Sequence, residues 1–138
     1  ISLSQIQEID LKLQQAPAHK IKLIAAHQPF YTPPDHSHGV KDCPMLGRIA
    51  LEPWSQHGLN GLLHGHLHHA AVYDLNQIYQ LGVSHPVLDI HAGTATSYRL
   101  HAGLPNSLNI ILPNADVQHL SFNAETNRFE LMQQNTSD

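Results

Sequence analysis

The sequence predicts an α/β domain on three observations: an amphipathic helix at the start, two apolar strands that each lead into histidine, and a series of short β segments separated by turn residues. With 138 residues there is material for about one domain. A hydrophobic content of 41% with only 13% charged residues suits a globular chain.

Taken in order, residues 2–15 place Leu3, Ile6, Ile9 and Leu13 at spacings of three and four, which predicts a helix with one buried stripe. Ser2 is placed to cap it, Gln5 to return the capping bond, Ile1 to staple onto Ile6, and Pro17 to stop it. Residues 22–26 are nearly continuously apolar, so an inner strand buried on both faces is expected. Residues 30–42, with Pro33, Pro34, His36, His38 and Gly39, have no periodicity and read as a loop overhanging a site; His36 and His38 there are solvated or touch a phosphate. Residues 44–57 carry Leu46, Ile49, Ala50 and Trp54 at helical spacing, ended by Gly58, with Pro53 predicting a kink or two short helices and Trp54 packing in the core. A strand over 59–64 follows. Beyond it no further helix is expected, only strands over 70–74, 86–93, 107–112, 117–122 and 128–132 in antiparallel pairing, and a polar tail over 133–138.

Chemistry concentrates where the 59–64 strand runs into Gly65-His66-Leu67-His68. On extended backbone, side chains two apart share a face, so His66 and His68 would aim into one pocket, with Gly65 supplying the turn and His64 standing behind them. Imidazole is the commonest protein ligand for zinc-like ions. A histidine-rich loop with no ion is the alternative, and 13 histidines in the chain lower the weight of each. His27 ends the first strand; taken alone, it reads equally as a side chain satisfied by backbone. Seven basic against eleven acidic residues, net charge −4 and no basic block leave no surface for a nucleic acid polymer or an anionic membrane, so a phosphate would have to be held locally by metal. No apolar run reaches the length of a membrane span. The one cysteine, Cys43, excludes an internal disulfide framework and suits a reducing, cytoplasmic compartment.

Read together, His27-Gln28-Pro29 after a strand, then a helix, a strand and Gly65-His66-Leu67-His68, then the run from Ala92 to Arg99 and Pro105-Asn106-Ser107, resemble the carboxyl-terminal half of a calcineurin-like metallophosphoesterase over roughly residues 20–112. The resemblance implies a four-layer α/β/β/α sandwich and a dinuclear centre of two divalent ions, manganese, iron or zinc, acting on a phosphoester and most simply a phosphodiester. It implies that His27 and His66 share one ion and that His68 holds its neighbour. His91 falls near that centre but outside the ligand set, and Arg99 either contacts phosphate or secures its loop. His119 is read as an ordinary strand histidine. The family's Asp-x-His, Gly-Asp-x-x-Asp and Gly-Asn-His motifs, which supply the other ligands and the leaving-group acid, do not precede His27. Residues 1–138 are therefore expected to be the carboxyl-terminal portion of one such domain, without a catalytic residue of their own, inactive alone, and prone to self-association through exposed strand edges. The alternative from another class is a non-catalytic metal-binding or interaction module with a structural histidine site.

Overall fold

In the computed structural model, residues 1–34, 40–100 and 103–132 are described, and they form a mixed α/β fold. His36, His38 and the 133–138 tail lie outside those residues. Helix α1, Leu3–Gln15, starts on a reciprocal capping box: Gln5 N–H donates to Ser2 Oγ at 3.3 Å and Ser2 N–H to Gln5 Oε1 at 2.8 Å. Its buried stripe is narrower than the spacing predicts. Ile6 and Leu13 are buried and Ile9 packs beside them, while Leu3 and Ile1 face solvent.

One sheet has strand order β1-β2-β4-β3, built from β1 (Lys22–Ala25), β2 (Leu59–His64), β3 (Ala71–Asp74) and β4 (Leu88–His91). The first three in spatial order run parallel and β3 runs antiparallel to β4. A second, antiparallel sheet contains β5 (Ser107–Ile111), β6 (Val117–Asn123) and β7 (Arg128–Leu131). Helix α2, Gly47–Gln56, and the short α3, Leu75–Tyr79, complete the elements that position the site.

The expectation of β1 as an inner strand is corrected. Among the described residues it pairs only with β2, which puts it at the sheet edge, and its residues alternate between half-buried and exposed, Leu23 being 37% exposed. Its apolar run packs against the core through Ile24 and Ala26. Helix α2 also continues through Pro53 as a single helix. The proline forfeits one backbone hydrogen bond, and the complete burial of Leu51 and Trp54 on the same helix offsets that loss. The expectation of no later helix fails at α3, which Asp74 starts by accepting a bond from Asn76 N–H at 2.9 Å and which buries Leu75. By turning the chain there, α3 returns β4 between β2 and β3, parallel to β2.

Leu51, Trp54, Leu59, Leu62, Leu75 and Val87 are fully buried between the helices and one face of the first sheet. Trp54 packs as expected, and its Nε1–H donates to the Ile6 carbonyl at 3.0 Å, tying α2 to α1. Lys22 closes the far ends of both helices, its ammonium donating to the carbonyls of Leu13 and His57 at 2.7 and 2.8 Å. Among the described residues no helix is long and apolar enough to cross a membrane.

Candidate metal centre

The parallel strands β1, β2 and β4 end on the same edge of the sheet, where ligand sites of α/β folds collect. Their exits carry His27, the His64–His68 turn and His91. Two histidine groups result, one exposed and one buried.

In the exposed group, His66 Nδ1 stands 3.1 Å from His27 Nε2, the rings meeting edge to face at 4.8 Å between centroids. One of the two nitrogens carries the proton they share. A metal bound to both by bonds of roughly 2 Å at a tetrahedral angle needs them roughly 3.3 Å apart, so this pair fits an ion with almost no rearrangement. Asp42, at the end of a 3-10 turn over Val40–Asp42, brings a carboxylate oxygen 3.6 Å from His66 Nε2.

His68 is not brought to that pair as a third close donor. Its Nδ1–H donates to the Arg99 carbonyl at 2.8 Å, which leaves Nε2 with the lone pair. Such a bond on the far ring nitrogen is how metal-ligating histidines are commonly oriented. Arg99 thus acts here through its backbone, and Arg99 N–H in turn donates to Ser97 Oγ. Asn106 holds the same loop by donating to the carbonyls of Thr94 and Ser97.

The backbone that presents these side chains differs from the extended form expected. Residues 65–69 form a turn in which His66 has φ 65° and His68 φ 54°, both left-handed, while Gly65 is not in that region. The turn is fixed from within: Leu67 is 2% exposed, and its N–H donates to the Gly65 carbonyl at 2.7 Å. A left-handed residue with a Cβ costs about 1–2 kcal/mol, and two so close together point to a site that imposes its geometry.

The buried group was only partly foreseen. Asp89 is fully buried and its carboxylate accepts four hydrogen bonds: from His64 Nε2–H at 2.8 Å, His91 Nε2–H at 3.1 Å, Tyr31 N–H at 2.9 Å and Phe30 N–H at 3.1 Å. Burial alone would raise this carboxyl, but the hydrogen bonds it accepts from His64 and His91 outweigh it and hold it below its ordinary value. For His91 burial dominates and lowers its pKa, so the ring stays neutral. His64 and His91 are cross-strand partners on β2 and β4, with ring centroids 4.1 Å apart. Among the described residues, His64, Asp89 and His91 form the group of three whose donor atoms all lie within 4.8 Å of one another, and such a group can hold a metal ion. Sequence reasoning placed His64 behind the turn and His91 near the centre, but missed Asp89 and Asp42. Asp89-Ile90-His91 carried a signal: a carboxylate and an imidazole two apart in an apolar strand share one face.

Cys43 lies near this group, in contact with Thr32 Oγ1, and burial pushes its thiol up, so a thiolate nucleophile is not what the site offers. His119 sits on β6, bonded to Asn109 Oδ1 at 2.8 Å, in the other sheet. No protein-family model, curated protein or solved structure matches the chain.

Proposed function

We propose that the chain carries the histidine side of a metal-dependent phosphoester hydrolase centre, with a phosphodiester as the substrate class. The observation that supports this reading is the 3.1 Å approach of His27 and His66 at the carboxyl ends of adjacent parallel strands. In it, His27 Nε2 and His66 Nδ1 hold one ion, and His68, oriented through Arg99, offers Nε2 to a second. The chemistry that two bound divalent ions supply is polarisation of a phosphoryl oxygen and activation of a water for in-line attack. The chain's own part is to orient the imidazoles: Leu67 anchors the turn, Arg99 fixes the His68 tautomer, and Asn106 secures the loop that carries Arg99.

The remaining carboxylate ligands and the leaving-group acid that the resemblance implies come, in this reading, from polypeptide other than these residues. A four-layer sandwich accommodates that supply. The outer edge of β1 has no partner strand among the described residues, and Ile21 and Leu23 beside it are exposed, which suits the packing of further strands. By itself the chain is a poor catalyst.

The test is calorimetric titration of manganese into the wild type, His66→Ala and His119→Ala. The reading predicts weak binding that His66→Ala removes and His119→Ala leaves intact, and that is lost on acidification as the ligating imidazoles become protonated. Equal affinities in the two variants overturn it. The non-catalytic alternative is separated by metal count, because it allows one ion and no hydrolysis of bis(4-nitrophenyl) phosphate even when the complementary carboxylate-bearing segment is supplied.

A further inference from the structure

We propose that His64, Asp89 and His91 form a buried site for a single divalent transition-metal ion of the zinc type, independent of the His27–His66 pair, which ties β2, β4 and the segment after β1 together.

The first support is unused donor capacity. Ionised Asp89 can only accept hydrogen bonds, so each imidazole must present Nε2–H to it, and in the neutral ring the lone pair then falls on Nδ1. Both Nδ1 atoms are buried and without a hydrogen-bond partner among the described residues. A buried polar atom left in that state costs about 1–3 kcal/mol, and two on touching rings are not what packing alone selects. The ion would take the Nδ1 lone pairs, with Asp89, bonded to both Nε2–H groups, as the carboxylate that orients the two rings, and imidazole nitrogen suits zinc and its neighbours.

The second support is the surrounding bonding. The backbone N–H groups of Phe30 and Tyr31 fix the Asp89 carboxylate, which in turn fixes both rings through their Nε2–H groups. Through them an ion would fasten the chain just beyond His27 to the two strands it crosses. Independence from the exposed pair follows from direction. His64 and His66 flank Gly65, yet the His64 side chain is 0% exposed and that of His66 32%, so one points into the protein and the other to solvent.

The test uses the full chain stripped of metal, with zinc as the probe, in a His27→Ala/His66→Ala background that lacks the exposed pair. Calorimetry should still show one zinc per chain, and adding His91→Gln should weaken that binding at least a hundredfold. Zinc should also raise the thermal midpoint of the background variant, since it binds the folded chain. Should His91→Gln fail to fold, nitrogen-15 spectra of the imidazoles decide on the background variant alone: zinc must shift resonances of both His64 and His91. No zinc uptake by the background variant, undiminished uptake with His91→Gln, or unshifted His64 and His91 resonances each overturn the site. Manganese binding that survives His66→Ala would sink the exposed centre and leave this result untouched, so the two proposals fail separately.

Discussion

His66 and His68 show how a residue's backbone reports what its side chain is for. Both take up left-handed φ values around a buried leucine, at a position where glycine would carry no Cβ penalty. If the turn is held in that form to aim imidazoles, removing the side chain should relieve strain. His66→Gly is therefore expected to equal the wild type in urea unfolding or gain up to about 1 kcal/mol, while losing metal. A loss of more than about 1 kcal/mol would show that the His66–His27 contact, not the strain, dominates. Nothing in the string Gly-His-Leu-His announces this conformation. The spacing of two suggested an extended strand, which would bury Leu67 between the same two histidines, and only the positive φ values of His66 and His68 depart from it.

At the scale of elements, legibility followed from how local the determining interactions are. The bounds of α1 and β2 were readable because a capping box and a short apolar run between turn residues act within a few residues. The edge position of β1 and the insertion of β4 between β2 and β3 were not, because strand order depends on partners far along the chain. The buried triad was half legible: the 89–91 spacing put Asp89 and His91 on one face, but His64 joins them only through the parallel register of β2 and β4.

His119 on β6 allows a check of the second sheet. Burial disfavours its charged form and lowers its pKa below the ordinary imidazole value of about 6.5. Below pH about 6.5 the unfolded chain takes up a proton before the folded chain does. The stability His119 contributes is thus complete above that pH and is lost as pH falls toward the lower folded value. Imidazole proton shifts should show His119 titrating with a midpoint below about 6.5, and a midpoint at or above it would contradict the packing of β5 against β6.

For the whole molecule, the sheet edge gathers everything with chemical consequence. Three parallel strands deliver histidines there, Asp89 bolts their exits together beneath the surface, and the strained turn lifts His66 to meet His27 above it. A stable buried layer under an exposed, ligand-shaped layer is the arrangement expected of a site built on rigid elements. The most direct measurement of the claim that the exposed layer binds metal is diffraction from crystals of the chain grown with manganese, recorded at the manganese absorption edge. The account predicts an anomalous peak roughly 2 Å from both His27 Nε2 and His66 Nδ1. A map with no peak between those two atoms, or with manganese only at His64, Asp89 and His91, would contradict it.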